Sequence, residues 1–168
     1  MERERRERLI KKREELKARR EIESRLRRIE NLVQYLNNNR VEYRIHIECE
    51  KADKALHSYP AIGSGLNWDK IPNSKKAYYH SFDEIDEIIL TVITDYLNKS
   101  DTTFVIWGDG YMPILEITAN LVAENSGVIA DEDSDMWILN LEKGFCLEHR
   151  YPRHVAWTIS PLQARVEC

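Results

Sequence analysis

The first 37 residues contain neither glycine nor proline, and Arg, Lys, Glu and Leu dominate them. All four are good helix formers, so residues 2–37 are predicted as one long helix. Glu and Arg/Lys recur at spacings of three and four, which favours an exposed helix through ion pairs between successive turns. At 1.5 Å per residue it would reach roughly 50 Å. Its two halves differ. In residues 1–21 only Met1, Leu9, Ile10, Leu16 and Ala18 are apolar. From there Ile22, Leu26, Ile29, Val33 and Leu36 recur at alternating steps of four and three. That seam suits a partner helix or the domain's own sheet. Asn37-Asn38-Asn39 ends the helix. The chain is thus expected to divide into a charged helical arm, 1–39, and a second unit, 40–168.

Charge follows the same division. Residues 1–40 hold 14 of the 25 Lys/Arg and 8 of the 29 Asp/Glu, a net of +6. The whole chain carries −4, so residues 41–168 carry −10. An acidic domain disfavours nucleic acid as its partner and favours a basic one. No run approaches the ~18 apolar residues of a membrane span, and no signal-peptide core is present. Cys49, Cys146 and Cys168 are odd in number and lack metal-like spacing, which reads as reduced thiols in a cytosolic protein.

The second unit reads as α+β, a mostly antiparallel sheet packed against one main helix. Val41, Tyr43, Ile45, Ile47 and Cys49 alternate with polar residues as a half-buried strand. Residues 51–77 read as a loop pinned to the core by Leu66 and Trp68. Ser81-Phe82-Asp83-Glu84 is a capping box. It opens a helix with Ile85, Ile88, Ile89, Val92, Ile93, Tyr96 and Leu97 as its buried stripe. Phe104–Trp107 is an apolar strand, Asp109-Gly110 a tight turn, and Tyr111–Ile117 the returning strand. Pro113 would set that strand at an edge or bulge. A short helix over 118–125 ends at Gly127. After the acidic loop 131–135 come a hairpin, 136–141 with 145–150, and a last strand, 155–159. The tail beyond Pro161 is expected to be loose.

No catalytic constellation is apparent. His46, His57, His80, His149 and His154 form no HxxxH or HExxH pattern, so a zinc site is disfavoured. His46 and His149 fall on strands at positions that could face solvent. Cys146 and His149, three apart on a strand, point to opposite faces. Neither Gly108-Asp109-Gly110 nor Gly63-Ser64-Gly65 has the spacing of a phosphate cradle. Counted as an EF-hand from Asp131, the loop has Met136 where glycine is required. No metal or cofactor is expected.

Residues 80–159 carry a pattern in fixed order: HSFDEIDEIILTVI from His80, FVIWGDGYMPILEI from Phe104, NLVAEN from Asn120, and DMWILNLEKGFCLEH from Asp135. It resembles bacterial toxin immunity proteins of the contact-dependent growth inhibition and related polymorphic-toxin type. There a helix precedes an apolar strand ending in a tryptophan and an acidic turn, here Trp107, Asp109 and Pro113. A hairpin follows, here with Asp135, Trp137, Ile138, Gly144 and Glu148. The arm lies outside the resemblance. The resemblance implies a cytoplasmic antitoxin that is no enzyme. It would bind a cognate toxin, often a nuclease, and block its active surface. An acidic protein is steered quickly onto such a basic partner. The expected partner-binding residues are Asp131, Glu132, Asp133, Asp135 and Asp109, with Tyr111 and Trp68 as aromatic anchors. Trp107 and Trp137 are expected in the core. Two other readings compete: self-assembly through the helix seam as a coiled coil, and nucleic-acid association through the basic arm.

Overall fold

The computed structural model describes residues 2–152 and 154–159, with side chains from Arg5 onward. The elements run α1 (Glu2–Arg27), α2 (Glu30–Asn38), β1 (Tyr43–His46), α3 (Glu50–His57), β2 (Ala61–Ile62) and β3 (Gly65–Leu66). A 3-10 turn, Trp68–Lys70, leads to β4 (Lys75–Ala77), α4 (Phe82–Tyr96), β5 (Thr102–Trp107) and β6 (Ile114–Thr118). Last come α5 (Ala119–Glu124), α6 (Ser126–Ala130), β7 (Asp135–Asn140), β8 (Phe145–Arg150) and β9 (His154–Ile159). Seven strands form one sheet in the order β1-β6-β5-β7-β8-β9-β4. Every neighbouring pair in it is antiparallel. The expected α+β class is what forms, and the long charged helix precedes it. Cys168 and the tail beyond Pro161 lie outside the described residues.

The sheet is buried on both faces. Along β7, Met136 and Ile138 face one cluster and Trp137 and Leu139 the other, as the two-residue period of a strand requires. Helices α4, α5 and α6 cover the first face through Ile85, Ile89, Val122 and Ile129. Ala52 and Ala55 of α3, with Leu66, Trp68 and Ile71, cover the second. Burial on both faces explains why the central strands read as continuous apolar runs rather than alternations. Helix α4 begins as predicted: Ser81 Oγ accepts the Glu84 N–H at 3.4 Å, and Glu84 Oε2 accepts the His80 N–H at 2.7 Å.

The predicted single helix 2–37 is broken at Arg28–Ile29. No glycine or proline causes this. The Arg28 and Ile29 N–H groups reach back only three residues, to Arg25 and Leu26, a tightened last turn. Beyond the break, Ile29, Leu32 and Leu36 are fully buried in the first-face cluster. Each such side chain stabilises the fold by ~1.5–3 kcal/mol. Tertiary packing therefore redirects the chain. Helix α2 closes with Arg40 at φ 56 and the Val41 N–H on the Leu36 carbonyl at 2.9 Å. This is a Schellman close with arginine where glycine is usual.

Other expectations are corrected. The strand after Arg40 stops at His46. The chain then crosses the sheet edge, so Cys49 packs on the opposite face from Tyr43 and Ile45. Residues 51–77 are not a loop: they hold α3, the β2–β3 hairpin and β4, which pairs with β9. Pro113 marks no edge, because β6 lies between β1 and β5. It precedes the first strand residue, where a missing N–H breaks no ladder bond. Gly127 sits inside α6 rather than ending a helix. A side chain there would bring a Cβ to 2.6 Å from Asp86 Oδ2, so glycine lets α6 approach α4. His149 is buried, not solvent-facing.

Candidate functional site

One end of the sheet gathers most of the expected binding residues. The β5–β6 connection meets the segment before β7 there: Gly108 N–H donates to the Asp135 carbonyl at 2.8 Å, and Asp109 N–H to Asp133 Oδ2 at 2.8 Å. Asp109 Oδ1 accepts the Tyr111 N–H at 2.9 Å, an Asx turn that shapes the connection. The β8–β9 turn joins through Tyr151 N–H and the Ser134 carbonyl, 2.8 Å. The start of α4 joins through Asp86, whose Oδ1 accepts the Ser126 hydroxyl at 3.3 Å.

The carboxylates divide into two groups. Asp109, Asp133 and Asp135 are part-buried; the Asp109 and Asp133 carboxylates accept backbone N–H groups of the turns, and the Asp135 carboxylate faces Arg150 Nε at 3.7 Å. Asp131 is exposed and Glu132 half-buried. Burial pushes the Glu132 carboxyl upward, and the Asp131 charge adds to this. Asp86 is likewise pushed up by burial and by Asp131 and Asp83, against the Ser126 hydroxyl that holds it down. The Asp131 charge acts on both Asp86 and Glu132, and the Asp83 charge on Asp86, so these four carboxylates form a negative rim.

Two arginines of the arm dock on the same end. Arg28 pairs with Asp109, and its guanidinium lies 5.6 Å from the centroid of the Tyr111 ring. Arg25 Nε donates to the Tyr111 carbonyl at 3.1 Å. Tyr111 is 64% exposed all the same. Beside this region Phe82 and Tyr151 stack face to face, 5.4 Å apart with 9° between their planes. Both are exposed, Phe82 by 62% and Tyr151 by 47%.

Trp68 is elsewhere and is buried. Its indole N–H donates to Glu148 Oε2 at 2.5 Å; Trp137 Nε1 and Leu66 N donate to Glu148 Oε1, each at 2.9 Å. Glu148 is itself 1% exposed, and both of its oxygens are engaged by these donors. That carboxylate clamps Leu66 and Trp68 onto β7 and β8, and burial removes Trp68 from any surface a partner touches. Trp107 and Trp137 are in the core, and Trp107 donates to the Ile129 carbonyl at 3.0 Å. Of the helix seam, Ile29 and Leu36 are buried in the chain's own core and Val33 packs against it, while Ile22 and Leu26 stay exposed.

Sequence reasoning passed over Phe82, Tyr151, Arg25, Arg28 and Leu32. Leu32 carried a signal, three residues beyond Ile29 on the same helical face. Phe82 carried another: an aromatic at the first helical position, one turn before the first residue of the stripe that faces the sheet. Among the described residues no helix is long and apolar enough to cross a membrane, and no cluster of three or more His, Cys, Asp or Glu is placed to hold a metal. Compared with known proteins, the chain matches no family model and no curated protein.

Proposed function

We propose that this protein is a cytoplasmic immunity protein that binds a basic cognate toxin, a nuclease by class, and blocks its active surface without chemistry of its own. The observation that carries the reading is the rim of Asp83, Asp86, Asp131 and Glu132 beside exposed aromatic rings. Burial, with neighbouring carboxylates adding to it, makes the charged forms of Asp86 and Glu132 costly in the free protein, and such costs concentrate at functional sites. A cationic surface relieves them on binding. The negative field of the domain speeds the encounter, and aromatic contacts supply much of the affinity. Asp109 and Asp133 support this surface by fixing the turns beneath it, Asp135 by its pairing with Arg150, and Tyr111 contributes an exposed ring.

Assembly through the arm is less favoured. Ile29 and Leu36, two of its five seam residues, are enclosed in the chain's own core. The test of the immunity reading is co-expression with the toxin domain encoded immediately upstream. Cells carrying both genes are expected to grow, and cells carrying the toxin alone to stop. Growth arrest in both would overturn the reading.

A further inference from the structure

The Phe82–Tyr151 stack leaves two large rings exposed to water, Phe82 by 62% and Tyr151 by 47%. Phe82 sits at the first position of α4, in line with Ile85 and Ile89 but one turn before the first buried residue. Tyr151 lies in the turn after β8, fastened by its backbone N–H to Ser134. Two rings stacked nearly parallel on a protein surface leave open ring faces, and Tyr151 adds a hydroxyl at the edge. Exposed aromatics that form a patch mark interaction sites, whereas single ones are ordinary.

Charge around the stack sets the class of partner. Asp83 follows Phe82 directly in the chain and is exposed. Asp131 is exposed, and both it and Asp83 lie close enough to Asp86 for their charges to act on its carboxyl. The molecule also holds its own example of the chemistry: Arg28 covers the Tyr111 ring while pairing with Asp109. A guanidinium over an aromatic ring, held by an adjacent carboxylate, is thus already formed once within the chain. The Phe82–Tyr151 stack and its acidic rim present the same elements outward.

We infer that the Phe82–Tyr151 stack is the anchor of the partner-binding surface and receives an arginine-bearing segment of a basic protein, with Asp83 and Asp131 flanking the guanidinium. This rests on the immunity reading and deepens it, dividing the work between aromatics that hold the complex and carboxylates that speed its formation. Arginine suits the site better than lysine because its planar head stacks while still bonding to carboxylates.

Surface plasmon resonance against the upstream-encoded toxin domain tests it. The wild type, Phe82→Ala, Tyr151→Ala, the double alanine variant and Tyr151→Phe would be compared. Ile62→Ala serves as the control, another exposed side chain (61%) on the β2–β3 hairpin. Each alanine variant is expected to dissociate at least about tenfold faster with its association rate little changed, as for a hot-spot residue. Tyr151→Phe and Ile62→Ala are expected to dissociate at the wild-type rate. Circular dichroism checks that each variant is folded. A folded double variant that dissociates like the wild type would overturn the inference and leave the immunity reading standing. Absence of binding by the wild type would remove both.

Discussion

Arg28 pairs its guanidinium with the Asp109 carboxylate, joining the break in the arm to the β5–β6 connection. The Arg28 side chain is 45% exposed and that of Asp109 33%, so the pair is solvent-screened. Such pairs contribute ~0–1 kcal/mol. The arm is therefore positioned by this contact more than stabilised by it. The apolar residues immediately beyond, Ile29, Leu32 and Leu36, carry the stability.

A truncation series separates the two roles. Removing residues 1–27 is expected to change unfolding free energy by no more than about 1 kcal/mol, because α1 buries little. Leu32→Ala or Leu36→Ala in the full chain is expected to cost ~2–5 kcal/mol. Urea denaturation reads both. A large loss on removing 1–27 would show that α1 packs more than its exposed side chains indicate.

Glu148 is the second structural pivot. Glu148→Ala would strand two buried indole N–H groups and the Leu66 N–H together. The expected cost is about 3–5 kcal/mol, as for a buried charge network broken on one side. Glu148→Gln keeps one acceptor oxygen and should fall between. Tryptophan emission during unfolding follows the change, since Trp68 and Trp137 are both in the clamp. Equal stability of the alanine variant and the wild type would contradict the clamp.

Stability is expected to fall as pH drops below neutrality. Burial depresses the proton affinity of His149, with the His154 charge adding to it. Burial also depresses His154, helped by Lys76 and Arg150 and opposed by Glu148. In the unfolded chain both histidines protonate near the usual value of about 6.5, so below it the unfolded state binds more protons than the folded one. Stability is then lost at up to about 1.4 kcal/mol per pH unit per histidine. Asp86 and Glu132, whose folded carboxyls are raised, act the other way at lower pH, in and above the ordinary carboxylate range. The urea midpoint should therefore be lower at about pH 5.5 than at about pH 7.5. A higher midpoint at the acidic value would contradict this account.

The parts legible in the sequence were those with strong local signals. The capping box at Ser81 and the 3.6-residue stripe of α4 placed the main helix, and the Lys143-Gly144 turn placed the β7–β8 hairpin, closed by Gly144 at φ 62. Helix α3 was hidden because only Ala52 and Ala55 are buried on it, too little for a periodic signal. The break at Arg28–Ile29 was hidden because its cause is the packing of Ile29, Leu32 and Leu36 into a core built from residues far along the chain. The acidic loop was legible as charge. That Asp109 and Asp133 serve the turns and Asp135 meets Arg150, while Asp131 and Glu132 face outward, depends on which backbone N–H groups and cations lie near. The Phe82–Tyr151 stack joins residues far apart in the chain, which no local pattern reports.

The central claim is that the outward carboxylates meet a basic toxin. Titrating the activity of the upstream-encoded toxin domain with this protein tests it most directly. The wild type is expected to abolish activity at equimolar ratio. Asp131→Lys with Glu132→Lys should weaken inhibition at least about tenfold, chiefly through slower association at low salt. Thermal unfolding of that variant should be unchanged or slightly higher, because repulsion against Asp86 is relieved. Inhibition by the folded charge-reversed protein equal to wild type, or none by excess wild type, would contradict the account.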